Sequence, residues 1–301
     1  MKIIDFDLTN VPTDIPELNI CLGYFDGVHI GHQKILSEAK KDGHKVAMLT
    51  FNSSPRVFLE RDDNKRCLSC VDDKAYYCEL FGVDYLLVMP FDDQIKNTSH
   101  FNFVNYVLKV LNPHAIYCGE DYRFGKDALG TPDFLKDYFE THVISLLEKD
   151  DKKVSSRTIR EAIASGNIKL ASSLLGHDYR IGGYVVSGER NGRTIGFPTA
   201  NLDLDFPYVM PKIGVYMGYA FVSEEKYRAL ICVGTHPTFK ELDIPIVEVH
   251  VIDYQGVLYG DFVFVEFTDY IRDIIKFEKV EDLVEQLNKD KEKTGSDDPV
   301  F

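Results

Sequence analysis

The hydrophobic pattern of this chain changes once, near Tyr179, and that change limits the folds open to it. Before it, Leu18–Phe25, Lys45–Phe51, Val83–Met89 and Ala115–Cys118 read as strands, and His29–Lys41, Asp72–Phe81 and His100–Leu111 read as helices between them. Such alternation builds a parallel sheet covered by helices, with ligands bound outside the carboxyl ends of the strands. Ser155–Leu175 reads as two short helices parted by Gly166-Asn167 and closed by Gly176-His177-Asp178. After Tyr179, apolar residues alternate in Tyr179–Val186, Gly214–Phe221, Tyr227–Val233, Ile246–Ile252 and Phe262–Phe267. Short strands at this spacing, punctuated by Gly, Pro and Asp, predict an antiparallel barrel or sandwich. Val280–Leu287 reads as a closing helix, and the charged tail Lys289–Pro299 as frayed chain. The division falls at Gly176–Tyr179, giving domains 1–177 and 178–301, each long enough to bury its own core.

Charge and composition exclude several classes of function. A formal net charge of −14 lacks the basic footprint of a nucleic-acid binder, although a local phosphate site can still be built from backbone amides and a few side chains. No apolar run reaches the roughly 20 residues that span a bilayer, and the acidic start MKIIDFDLTN is unlike a secretory signal. A cytoplasmic protein with no membrane partner is expected. Cys67 and Cys70 form the one C-x-x-C among six cysteines; without a second ligand pair nearby, reduced free thiols are the simpler reading.

The first chemical constellation is Gly23-Tyr24-Phe25-Asp26-Gly27-Val28-His29-Ile30-Gly31-His32, which follows a strand and opens a helix. His29 and His32 share one helix face at its amino end, where dipole and backbone N–H groups suit a polyphosphate. Gly27 and Gly31 allow close approach of a ligand. The whole string resembles the nucleotidylyltransferase signature of FAD synthetases. Gly119-Glu120-Asp121-Tyr122-Arg123-Phe124-Gly125-Lys126 resembles that family's second loop, and Val154-Ser155-Ser156-Arg157-Thr158-Ile159-Arg160 its Ile-Ser-Ser-Thr-x-Ile-Arg motif. The resemblance implies nucleotide or flavin contacts from Gly23, Phe25, Asp26, Gly27, His29, Gly31, His32, Asp121, Ser156 and Arg160. Three positions depart from the family pattern: Ser53 and Ser54 replace a proline and a histidine, and Arg157 replaces a threonine.

The second constellation runs from Gly188 through Gly192 and Gly196 to Phe197-Pro198-Thr199-Ala200-Asn201. The three glycines suit a loop near phosphates, and Thr199 and Asn201 offer hard oxygen ligands of the kind Mg²⁺ accepts. Gly-Phe-Pro-Thr-Ala-Asn closely resembles the riboflavin kinase signature. Gly234-Thr235-His236-Pro237-Thr238-Phe239 resembles the family's Gly-x-x-Pro-Thr-Phe loop, Val247–Asp253 the strand with its catalytic glutamate, and Leu258-Tyr259-Gly260, Ile271-Arg272 and Lys276-Phe277 its closing segments.

Both sets of motifs, in order, make the chain similar to prokaryotic bifunctional riboflavin kinase/FMN adenylyltransferases. The resemblance implies a Rossmann-like nucleotidylyltransferase domain followed by a six-stranded antiparallel kinase barrel with a C-terminal helix. It implies Glu248 as the catalytic base, Thr199 and Asn201 as Mg²⁺ ligands, and Gly188, Gly192, Gly196, Pro198 and Arg272 as further binding residues. ATP, riboflavin and FMN would be substrates and FAD a product. Two readings stay open: a bifunctional enzyme, or a monofunctional riboflavin kinase with a degenerate or regulatory front domain, which Ser54 and Arg157 favour.

Overall fold

The computed structural model describes residues 1–60, 66–149, 152–187, 195–223, 225–235 and 245–295, and the chain divides into two compact units, Met1–Ser156 and Arg157–Phe301. In the first unit, strands β1 (Lys2–Asp5), β2 (Asn19–Leu22), β3 (Val46–Phe51), β4 (Tyr85–Met89), β5 (Ala115–Gly119) and β6 (Thr141–Ile144) form one sheet in the order β1-β4-β3-β2-β5-β6. All five pairings are parallel. Helices α1 (Ile30–Ala39), α2 (Pro55–Glu60), α3 (Val71–Leu80), α4 (Asp93–Asn97), α5 (His100–Phe103), α6 (Lys109–Leu111) and α7 (Pro132–Lys136) connect the strands, and a π-helical stretch, Val104–Leu108, joins α5 to α6. The central strands are apolar on both faces, as a sheet buried on both sides requires: Ile20, Leu22, Ala47 and Leu49 pack into one layer of core, and Cys21, Val46 and Met48 into the other. The edge strands β1 and β6 escape a reading of the sequence because they are short and only partly buried, so their apolar pattern is weak.

A lysine is buried in this core. Lys74, on α3, is 1% exposed. Its Nζ donates to Thr50 Oγ1 at 3.1 Å and to the Phe51 carbonyl at 3.3 Å, and lies 3.7 Å from the centre of the Tyr24 ring. Burial brings its pKa down to about 8, against the pull of Asp26, which favours the ammonium.

After a two-stranded ribbon, β7 (Glu148–Lys149) with β8 (Lys152–Lys153), come α8 (Ser156–Ala164) and α9 (Ile168–Leu175). Most of α8 and all of α9 belong to the second compact unit, where α9 packs on strands of the barrel. That barrel is closed, in the order β10-β13-β12-β11-β14-β9. Its strands are β9 (Tyr179–Val186), β10 (Ala200–Asp203), β11 (Gly214–Val222), β12 (Glu225–Thr235), β13 (Pro245–Val251) and β14 (Phe262–Arg272). Closure leaves no free sheet edge. The sixth strand, β10, does not show in the alternation because only four residues pair and the first follows Pro-Thr. The last helix, α10, runs Val280–Lys293, so Lys289–Lys293 are helical rather than frayed. What holds them is Asp290, fully buried, whose Oδ2 accepts from Arg272 Nε at 2.8 Å and lies 2.7 Å from Nη2. Gln286 donates to the other oxygen at 2.9 Å.

Two stability predictions follow from these buried charges. Asp290→Ala leaves Arg272 without its partner at a site mostly closed to water, and should cost the barrel unit about 3 kcal/mol in urea unfolding. Lys74, like a paired carboxylate, has its pKa depressed on folding, so its contribution to stability grows as pH rises. The unfolded lysine keeps its proton to about pH 10.4, so between about pH 8 and 10.4 the unfolded chain binds more protons than the folded one. The first unit should therefore gain up to about 3 kcal/mol as pH rises through that window, and Lys74→Met should lack the gain when unfolding is compared at its two ends.

Candidate active sites

β2 ends at Leu22 on the carboxyl edge of the sheet, and the chain turns sharply before α1 begins. Phe25, Gly27 and Val28 all take left-handed backbone, with φ of 56°, 76° and 38°. For a β-branched residue such as Val28 this costs of order 1–3 kcal/mol, and such strain gathers at functional sites. The turn is fastened from below. The buried Asp26 carboxylate accepts from the backbone N–H groups of Leu68 at 2.8 Å and Ser69 at 3.3 Å, while Gly27 N–H donates to Ser69 Oγ at 2.8 Å. Ser156 Oγ donates to the Asp26 carbonyl at 3.2 Å.

His29 then caps α1, its Nδ1 accepting from the His32 N–H at 3.4 Å. The two imidazoles stack with centroids 3.6 Å apart and planes 14° apart, and the Phe25 ring meets His32 edge-on at 5.1 Å. Gly31 makes the stack fit, since a Cβ there would stand 3.2 Å from the His29 ring. Burial, then the neighbouring His29 and Lys74, holds the His32 pKa well below the usual histidine value. His32 is thus neutral at physiological pH and offers one donor and one acceptor rather than a fixed charge.

Two clefts open beside this histidine. The smaller, about 270 Å³, has His29, Gly31, Lys153 and Ser156 in its wall. The larger, about 640 Å³, is walled by Gly23, Tyr24, Phe25, Phe51, Phe91, Phe103, Tyr122 and Phe124, with Lys96, Arg123 and Lys126 among its polar groups. His32, Ile35, Gly119 and Asp121 line both. Asp26 and Gly27 are among the lining residues of neither; they serve the turn. Arg160 is half-buried on α8, in the second compact unit. Arg157 is solvent-exposed and donates to Glu161 one helical turn on at 3.1 Å. Ser54 stands just ahead of α2, where its Oγ accepts weakly from the Val57 N–H at 3.5 Å, and Ser53 Oγ donates to the Phe91 carbonyl at 3.4 Å. Both serines thus have a local structural use. Cys70 caps α3 and Cys67 lies 3.7 Å from the Tyr24 hydroxyl; all six cysteines are free.

In the barrel, register assembles the second site. Antiparallel pairing sets Asn201 on β10 opposite Glu248 on β13, and Glu248 opposite Cys232 on β12. Directly opposed residues share a face. Val247, Val249 and Val251 are buried and fill the interior, so Asn201, Glu248 and Cys232 stand on the outside of the barrel. Val215 on β11 continues the row, pairing with Cys232 and with Arg272. Burial pushes the Cys232 thiol up to about 11; Glu248 adds to the shift and Arg272 opposes it. Thr199 is exposed immediately before β10. His250 Nδ1 lies 2.8 Å from the Pro198 carbonyl, which fixes its proton on Nδ1 and pins the Pro-Thr segment to β13. Burial lowers the His250 pKa. A cleft walled by Val185, Pro198, Thr199, Val249, Tyr254 and Leu258 opens beside it. Gly196 is exposed with φ of 82°. Gly188, Gly192 and His236–Phe239 lie outside the described residues.

His250, Lys74 and, beyond Phe25, the aromatic wall of the larger cleft do not stand out in the sequence. His250 had one signal, its two-residue spacing from Glu248 on a strand. Lys74 had none, since nothing in its neighbourhood marks a lysine as buried.

Comparison with known proteins gives a family for each half of the chain. Residues 12–158 match the FAD synthetase family model and residues 175–296 the riboflavin kinase model. The Bacillus subtilis bifunctional riboflavin kinase/FMN adenylyltransferase is 37% identical over 91% of this chain and 90% of its own length. The Escherichia coli K12 protein of that name is 33% identical over 90% of each. A Streptococcus pneumoniae crystal structure described as a macrolide-efflux protein superposes with a TM-score of 0.87 at 34% identity, covering 98% of this chain and 99% of that one. Among the described residues here, no helix is long and apolar enough to cross a membrane. With both family models present and the named relatives bifunctional, a monofunctional kinase is not favoured. The chain belongs to the bifunctional riboflavin kinase/FMN adenylyltransferase family.

Proposed function

We propose that this chain phosphorylates riboflavin to FMN in the barrel unit and adenylylates FMN to FAD in the first unit. The observation that carries the second activity is the pair of clefts meeting at His32. Joining two large molecules needs two sites that share one reacting point. The aromatic wall of the larger cleft suits the flat isoalloxazine ring, and the smaller cleft, at the amino end of α1 with Ser156 beside it, suits ATP phosphates. A phosphate oxygen of FMN attacks the α-phosphorus of ATP, the bond to the β,γ-phosphates breaks, and pyrophosphate leaves. His29 and a neutral His32 donate hydrogen bonds to the charge that builds on the α-phosphate. Asp26 acts indirectly, by holding the turn that presents them.

In the barrel, Glu248 accepts the proton of the riboflavin 5′-hydroxyl as its oxygen bonds to the γ-phosphorus and ADP departs. Asn201, held opposite by strand pairing, and Thr199, held by the His250–Pro198 contact, face the same phosphates. The oxygens of exposed Thr199 and half-buried Asn201 form a donor set that fits Mg²⁺, which when bound neutralises phosphate charge. Arg272 serves this site by anchoring α10. The substrates are small molecules; the acidic net charge supports no nucleic-acid partner, and six free thiols suit the cytoplasm.

Purified protein given riboflavin, ATP and Mg²⁺ should accumulate FMN and then FAD, and given FMN should make FAD, as followed by chromatography of the flavins. FMN without FAD from either start would leave only the kinase. Glu248→Gln should lower FMN formation at least about 100-fold while ATP binding persists. His32→Ala should abolish FAD formation from FMN with little change in FMN formation from riboflavin.

A further inference from the structure

The parallel sheet of the first unit has a second edge, at the amino ends of its strands, that neither activity uses. Sheet order sets β3, β2 and β5 side by side, so the residues just before them are neighbours. Those residues include His44 before β3, Glu17 before β2 and His114 before β5. One nitrogen of each histidine and one oxygen of Glu17 all lie within 4.8 Å of one another. The imidazoles stack with centroids 3.6 Å apart. A second carboxylate stands between them: Asp42 Oδ2 is 3.3 Å from His44 Nδ1 and 3.8 Å from His114 Nε2. Glu17 Oε1 is 3.9 Å from His114 Nδ1.

This cluster is held in place from behind. Asn19, fully buried at the start of β2, donates to both Asp42 oxygens at 2.8 and 2.9 Å, and the His44 N–H donates to Asp42 Oδ1 at 3.0 Å. His44 Nδ1 is shut off from solvent and faces Asp42 Oδ2 at 3.3 Å. A carboxylate fixed behind one ring nitrogen of a histidine orients the ring and sets its other nitrogen to act as a ligand. Tetrahedral zinc with nitrogen and oxygen ligands at about 2.0–2.1 Å separates its donors by roughly 3.4 Å. The Glu17–His114 contact needs to close by about half an ångström, which rotation of partly exposed side chains supplies.

We propose that Glu17, His44 and His114 bind one divalent transition-metal ion, with Asp42 orienting the histidines from behind; Zn²⁺ is the natural occupant for two imidazoles, one carboxylate and a water. The site clips the amino ends of three adjacent strands together. It lies a strand length, about 15 Å, from the carboxyl edge where His29 and His32 stand. Its role is accordingly structural, and both flavin activities run without it.

Full-length protein stripped with chelator and titrated calorimetrically with ZnCl₂ should take up one equivalent at this site. His44→Ala/His114→Ala should weaken that uptake by at least about tenfold, with FMN and FAD formation unchanged. Equal binding in the double variant would assign the ion to another site and overturn the proposal. So would no binding in the wild-type protein. Should the double variant fail to fold, Glu17→Gln tests the same site at an exposed position. Weaker zinc binding in that variant supports the assignment, and unchanged binding overturns it.

Discussion

The pairing of β10 with β13 sets Asn201 opposite Glu248, and a slip of one residue would turn Glu248 into the barrel and a valine out. Nothing about the side chains of the kinase site survives such a slip, so strand register comes before its chemistry. Barrel closure makes the register hard to change, because each strand is paired on both sides. The same constraint works differently in the first unit. There the parallel strands end together at Leu22, Phe51, Met89 and Gly119, and the loops that follow them supply the walls of both clefts. Register fixes which face a barrel residue takes, and fixes where a loop begins in the parallel sheet.

Below the loop after β2, the first unit has polar groups where apolar ones would be less costly to bury. Asp26, Thr50, Ser69 and Lys74 are each almost sealed from water, and each has partners for its polar atoms. Such a network contributes little net stability but admits few alternative arrangements. It compels Phe25 and Val28 into backbone conformations they would otherwise avoid, and thereby presents His29 and His32 at the mouth of the clefts. The lysine also raises the local potential, which helps keep His32 unprotonated.

The strands that lie in the middle of a sheet were legible in the sequence because burial on one or both faces writes itself into the apolar pattern. Short or edge strands, β1, β6 and β10, were not, since few of their residues meet the core. The chemical strings were legible as well, and the structure brings His29, His32, Asp121 and Ser156 to the smaller cleft. Residues that act from beneath were not. Asp26 reads as part of a binding string yet faces backbone amides, and Lys74 reads as an ordinary helix lysine. Asp290 sits in a charged tail, and only the fold reveals that it is the anchor of α10. Spacing reports which residues share a face, but not which polar residue has found a buried partner.

A wall shared by two clefts has a thermodynamic consequence. His32, Ile35, Gly119 and Asp121 touch whatever occupies either side. A ligand that shifts any of these four alters the free energy of filling the neighbouring cleft, and linkage makes the effect equal in both directions. If nucleotide tightens the hold on flavin, flavin tightens the hold on nucleotide by the same factor. Order of addition then becomes a kinetic matter and not an energetic one. If the proposed assignment of the clefts holds, a dinucleotide product spanning both meets the shared wall from both sides at once, so its departure must undo both sets of contacts.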